Sequence, residues 1–381
     1  MSILKFDNFK YLKENIFDEG LELHYWAFDW DDNILHMPTT ILMDRKVGEE
    51  WSPVEVSTSE FATVRNDKEN YRLRNNNPSE AFSQFRDTGP RGSNAFMEDV
   101  KKSISSKELG PSWNKFITCL TDGAIFAIIT ARGHEPETIR KAVEYIIDNV
   151  LSEDEQYIMY NNCLKHAYFF GQEIDFERLP KGQVSKNKLV EVYLNHCDFY
   201  GVSSDSFNRE FGESSAQNPE HAKEMALHKF IDKCNEYGER VGAKSVSIGF
   251  SDDDPKNVDH VRVMFKEKSA LTHEFEHELK LSLHKTTDRT LKGGEITKFR
   301  KGEEIAVSEA TDSVQAPGMA SSVMSFTQYN NMSSRLFPGN NKDNDPVANS
   351  HRLATDYITK QSKEWTKDLK KKSPIEKKIK K

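Results

Sequence analysis

The chain has 381 residues, 36 % of them hydrophobic and 30 % charged, with a net charge of −8. That balance suits one large domain or two ordinary ones and gives no general case for a nucleic-acid binder, although local basic patches remain open. Four cysteines, Cys119, Cys163, Cys197 and Cys234, lie far apart without CxxC pairing. They argue against a zinc site or a disulfide framework and for a reducing, cytoplasmic setting. No signal peptide and no run of about 20 apolar residues is found, so a soluble protein without membrane contact is expected.

In chain order, the first element is the apolar run Leu21–Phe28, which ends abruptly in Asp29-Trp-Asp-Asp-Asn33. A hairpin-like pair follows, Thr40–Met43 and Val54–Ser57, and then a polar segment rich in Arg and Asn from Arg65 to Gly92. About a hundred residues separate the first run from the next, too many for a single crossover, so residues 38–115 read as an inserted lid or cap. The second run, Ala124–Ile129, closes on Thr130-Ala-Arg132-Gly133. A helix opens at Pro136, with Ile139, Val143, Ile146 and Ile147 at helical spacing. Another opens at Asn218-Pro219 with Leu227, Phe230, Ile231 and Cys234 on one face. The third run, Ser245–Phe250, gives way to Ser251-Asp-Asp-Asp254-Pro255, and His260–Phe265 reads as a further strand. Residues 271–300 suggest a β extension. From Lys301 the composition turns to Ser, Asn, Gly and Met, which suggests a flexible tail, closed by a helix over Asn349–Lys372. Residues 361–381 hold nine lysines against three acidic residues; this basic end is a candidate for protein or nucleic-acid contact.

Strands alternating with helices predict an α/β fold, a mostly parallel sheet with helices on both faces. Chemistry in such folds sits at the carboxyl ends of the strands, where all three polar clusters fall. Two carboxylates at a strand end suit phosphoryl transfer. One attacks phosphorus, and the other protonates the leaving oxygen and later takes a proton from water. A carboxylate approaching an anionic phosphate needs a hard cation beside it, and Mg²⁺ fits oxygen ligands. Taken alone, Asp29, Asp31 and Asp32 are equally compatible with a capped strand end. Asp252, Asp253 and Asp254 at the same sheet edge favour a shared cation, because converging carboxylates otherwise repel.

Phe28-Asp-Trp-Asp-Asp-Asn-Ile34 resembles the first motif of the haloacid-dehalogenase-like (HAD-like) hydrolases, hhhDxDx(T/V). Ile128-Ile-Thr-Ala-Arg132 resembles their second, and Gly249-Phe-Ser-Asp-Asp-Asp-Pro-Lys-Asn-Val258 their fourth, in the family's order. The likeness covers roughly residues 20–268 and implies a Rossmann-like hydrolase domain over residues 1–270. It implies a Mg²⁺-dependent phosphatase with Asp29 as nucleophile and Asp31 as general acid/base, the latter with its carbonyl on the metal. Asp252 and Asp253 would serve the metal, and Thr130 and Arg132 the substrate phosphate. The third motif, a Lys near a helix start, falls on Lys223 in preference to Lys186 or Lys188. Asn33 departs from the family's Thr or Val. At lower specificity the arrangement resembles the Swiss-army-knife RNA-repair-like HAD group. Arg65, Arg72, Arg74, Arg86 and Arg91, with Tyr71, Phe82, Phe85 and Phe96, would then meet a nucleic-acid end. A cap with its own small aromatic core, over a site for small phosphomonoesters, is the plainer reading. A different class of reading makes the chain a non-catalytic HAD-like module of a larger assembly, viral in origin, that works through its tail.

Overall fold

A computed structural model of the protein describes residues 22–169, 186–212, 218–270, 275–286 and 294–310. Its centre is the strand β1 (Glu22–Phe28). The chain then builds β2 (Ile41–Val47), β3 (Glu50–Val56), helix α1 (Thr58–Val64) and β4 (Tyr71–Leu73). It returns through α2 (Ala95–Ser105) and α3 (Trp113–Thr121) to β5 (Phe126–Thr130). Helices α4 (Pro136–Asn149), α5 (Glu153–Phe169) and α6 (Lys186–His196) lead to β6 (Asp198–Gly201). Helices α7 (Asp205–Phe211) and α8 (Pro219–Val241) lead to β7 (Ser245–Asp252), and α9 (Pro255–Ala270) to β8 (Glu278–Lys285), β9 (Gly294–Arg300) and β10 (Glu303–Ala310).

The main sheet has the order β10-β9-β8-β7-β1-β5-β6. Strands β6, β5, β1, β7 and β8 are parallel, and β9 and β10 add on antiparallel. It is the α/β architecture that the alternating pattern predicts. Side chains alternate along β1. Trp26 and Phe28 enter a cluster with Phe116, Phe126, Ile139 and Val143, while Leu23, Tyr25 and Ala27 face Leu227, Phe230 and Ile231. Burial on both faces explains why these strands read as nearly continuous apolar runs. Phe28 pairs with Ile128 on one side and Ser251 on the other, so Asp29, Thr130 and Asp252 come off three adjacent strands at one edge. Among the described residues, no helix is long and apolar enough to cross a membrane.

The insert divides in two. Its body is the small sheet β3-β2-β4 with its own core of Ile41, Met43, Val56 and Phe85, against which Phe61, Tyr71 and Phe82 pack. The hairpin expected near residues 40–57 is there, with Ile41 opposite Val56. Residues Phe96, Val100 and Trp113 belong to the main core instead. The cap body is therefore narrower than residues 38–115.

Two expectations are corrected. His260–Phe265 is not a strand but the middle of α9. Pro255 opens the helix, and Val258, Val261, Met264 and Phe265 are buried at three- and four-residue spacing, a helical stripe that the short apolar run disguised. The β extension also runs past Lys301, which with Gly302 takes left-handed backbone angles to turn β9 into β10. Phe299 is buried against Phe265 at 5.8 Å, and Arg262 on α9 pairs with Glu295 and Glu304, fastening the hairpin to the domain. A chain ending at Arg300 should melt at a lower temperature than one ending at Ala310, because β9 loses one of its two partner strands and becomes the sheet edge. Equal melting temperatures would show that β10 adds nothing. The Asn349–Lys372 helix and the basic end lie outside the described residues.

Candidate active site

At the end of β1, the backbone N–H of Asp29 donates to Ser251 O at 2.9 Å, carrying the β1–β7 pairing one residue past the strand. The extension sets the two acidic loops side by side. Lys223, in the second turn of α8, reaches in from behind the sheet. Its ammonium donates to Asp29 Oδ1 at 2.8 Å and to Asp252 Oδ2 at 2.9 Å. Asn218 caps that helix, accepting from His221 N, which fixes where Lys223 emerges. Asp252 is fully buried and also accepts from Asn257 Nδ2 at 3.0 and 3.1 Å and from Asp254 N at 2.9 Å.

Ligand atoms of Asp29, Asp252 and Asp253 all lie within 4.8 Å of one another. Burial and the Asp252 and Asp29 carboxylates push the Asp253 carboxyl well above its usual range. Burial also raises that of Asp29, against the opposing pull of Lys223. Burial alone would lower the Lys223 ammonium, but the Asp252 and Asp29 carboxylates raise it, so it is a fixed cation. Three carboxylates against one ammonium leave a deficit of positive charge in a buried place. Three oxygen donors with that deficit fit a hard divalent cation.

Thr130 ends β5 with no exposed surface, and its hydroxyl lies 3.4 Å from Asp31 Oδ2. Its Oγ1 also accepts from Arg132 N at 3.3 Å. The resemblance assigns Arg132 to substrate phosphate, but the structure gives it other partners. Its Nε and Nη2 grip Asp31 at 2.7 and 2.6 Å, and Nη2 also donates to Thr39 Oγ1 at 3.0 Å. The guanidinium is buried between the rings of Phe85 and Phe96. Arg132 thus holds the side chain of Asp31 in one direction. A lysine cannot make this two-point grip. With Asp31 as the general acid/base that the resemblance implies, Arg132→Lys should cut kcat at least about tenfold, part of the 10²–10⁴-fold that such help contributes, with little change in KM. A kcat equal to that of the wild type would remove Arg132 from the site's machinery.

Lys186 opens α6, whose Leu189 and Tyr193 pack in the core on the Trp26 face, across the sheet from α8. The side chains of Lys186 and Lys188 lie outside the described residues. Of the insert's arginines, Arg65 forks onto Asp254 at 2.9 Å, Arg72 and Arg74 pair with Asp44, and Arg91 with Asp99. Arg45, which lies over the Tyr71 ring at 5.9 Å, and Arg86 make no ion pair among the described residues. The chain on either side of Arg86 is tied to the loop after β5: Gly133 N donates to Phe85 O, and Glu135 N to Asp87 Oδ2.

Some contacts of the site had no signal in the sequence. Thr58 at the start of α1 donates to Asp32, which His36 also contacts at 2.8 Å. With Arg65 on Asp254, α1 is fastened at both ends across the two acidic loops. The capping box of Ser57 and Glu60 marks this helix start, but nothing local says where the helix docks. No family model matches the chain, and no curated protein and no solved structure matches it either.

Proposed function

We propose that the protein is a Mg²⁺-dependent phosphohydrolase of the HAD-like kind, acting on phosphomonoesters through an aspartyl phosphate on Asp29. The observation that carries this reading is the gathering of Asp29, Asp252 and Asp253 at the ends of adjacent parallel strands, with the Lys223 ammonium paired to the first two. Asp29, Asp252 and Asp253, with the carbonyl of Asp31, would hold the metal. Bound there, Mg²⁺ would offset negative charge on the phosphoryl oxygens.

The chain's own groups divide the remaining tasks. Lys223 and the Thr130 hydroxyl neutralise and orient the phosphoryl group. A carboxylate oxygen of Asp29 forms the new bond to phosphorus as the bond to the leaving oxygen breaks, and Asp31 delivers the proton that oxygen needs. In the second half Asp31 takes a proton from water, water oxygen bonds to phosphorus, and the bond to Asp29 breaks to release phosphate. Arg132 keeps Asp31 aimed through both halves.

Small phosphomonoesters fit better than a nucleic-acid end. Asp29 is only 5 % exposed, and Arg65, Arg72, Arg74 and Arg91, four of the insert's six arginines, are already paired with acids of the chain. The insert's Phe61, Phe82 and Phe85 also pack on one another, leaving few rings free to stack bases. The test is phosphate release from sugar phosphates, nucleotides and 3′- and 5′-phosphorylated oligonucleotides, with Mg²⁺ and with chelator. Metal-dependent release from the small substrates is expected. Release from none of them in Mg²⁺ would sink the proposal.

A further inference from the structure

One buried carboxamide at the base of the site joins four segments of chain. Asn33 has no exposed surface. Its Nδ2 donates to the carbonyl oxygen of Asp29 at 3.0 Å, that of Ser251 at 3.1 Å and Ser251 Oγ at 3.0 Å. Its Oδ1 accepts from Ser112 Oγ at 2.8 Å, at the start of α3, and from Thr286 Oγ1 at 2.9 Å, after β8. The orientation is fixed by its neighbours: two carbonyls need a donor, and two hydroxyls supply the acceptor with protons. Every hydrogen-bonding position of the amide is therefore used. Thr286 N in turn donates to the backbone carbonyl of Asp252 at 3.0 Å, so the same network also holds the main chain of the neighbouring acidic residue. On the other flank, the backbone closes down on Asn33. A Cβ at Gly110 would lie 2.4 Å from Asn33 O, so only glycine lets the returning chain pass there.

A buried Asn with all its bonds made is costly to replace, yet it does more than fill space. A Val of similar bulk would occupy the same volume and join nothing. Asn33 links the nucleophile's own carbonyl to the residue immediately before Asp252. It thereby sets how far apart the carboxylates of the two loops stand.

We infer that Asn33 is a positioning residue for the cation and the phosphoryl acceptor, fixing the spacing between Asp29 and the Asp252–Asp253 pair; the inference rests on the phosphohydrolase reading. Groups one step removed from a metal's ligands typically govern its affinity by about 10–100-fold. The test measures Mn²⁺ binding to the purified full chain by electron paramagnetic resonance. Melting temperature in chelator and the Mg²⁺ concentration for half-maximal phosphate release are measured alongside it. In Asn33→Val, Mn²⁺ affinity should fall about tenfold or more. The Mg²⁺ requirement should rise in parallel, and Asn33→Thr, which keeps one donor and one acceptor, should fall between. A lower melting temperature with unchanged Mn²⁺ affinity would overturn the inference and leave Asn33 a packing residue. Should Asn33→Val fail to fold, Ser112→Ala and Thr286→Val each remove one bond to Oδ1. Weaker Mn²⁺ binding in both supports the inference, and wild-type affinity in both overturns it. A wild-type chain that binds no Mn²⁺ refutes the metal-dependent reading itself, a result distinct from any ranking of the variants.

Discussion

Asp29→Asn should reduce Mg²⁺-dependent phosphate release to background, a loss on the order of 10⁴-fold or more, as expected when a nucleophile is removed. The substitution keeps the shape and leaves an oxygen for Lys223, so folding should survive. Stability should move the other way from activity. The cluster of Asp29, Asp252 and Asp253 holds more negative charge than Lys223 can answer, and Asn removes one unit of it. Burial raises the Asp29 carboxyl above its unfolded value near 3.8, with Lys223 opposing. A group raised in the folded state contributes stability that is full below the unfolded value and lost as pH rises through the folded one. In chelator, the variant's melting temperature should therefore meet or exceed the wild type's, and its advantage should widen as pH climbs from about 4 towards neutrality. Undiminished turnover in Asp29→Asn would place the chemistry elsewhere.

Lys223→Met should cost both activity and fold. Removing one partner of a buried ion pair typically destabilises by about 3–5 kcal/mol, because a charge stays buried without its counterpart. Here Asp29 and Asp252 would both be stranded, since the same ammonium serves both. The stabilising contribution of Lys223 is full below its unfolded value near 10.5 and is lost only as pH rises through a still higher folded value, so the loss should show at any ordinary assay pH. Phosphate release should fall by about 10³-fold, in line with the removal of a preorganised charge from a transition state. Urea unfolding with and without Mg²⁺ measures the stability part, and saturating metal should recover some of it by binding the folded state. Lys186→Ala should change neither quantity appreciably. If Lys186→Ala proved the more damaging of the two, the third motif would move to α6.

The strands that carry the site were legible because they are buried on both faces. Leu21–Phe28, Ala124–Ile129 and Ser245–Phe250 stand out as apolar runs, and each stops where its chemistry begins. The helix from Asn218 was equally clear from its cap and its stripe. His260–Phe265 was not, because six residues of mixed Val, Met and Phe fit either period until Pro255 is given its weight as a helix start. The partners of the site residues were beyond reach for a different reason. Arg65 meets Asp254 across 189 positions, and Arg132 meets Asp31 across 101. No local pattern encodes such pairings. Asn33 stood out only as a departure from a motif, and the hydroxyls of Ser112 and Thr286 that make sense of it come from the far ends of other elements.

Asp99, on the helix that brings the chain back to the core, accepts from Thr39 Oγ1 at 2.6 Å and from both terminal nitrogens of Arg91 at 2.7 Å. One carboxylate thus clasps the outgoing and incoming stems of the cap body. A segment whose two ends are pinned together can vary in length between its anchored residues. Lengthening it costs only loop-closure entropy, about 0.6 kcal/mol for each doubling. What lies between Thr39 and Arg91 can change at positions other than Thr58, Arg65, Phe85 and Asp87, which touch the loops of the site, while Asp29, Thr130 and Asp252 keep their places.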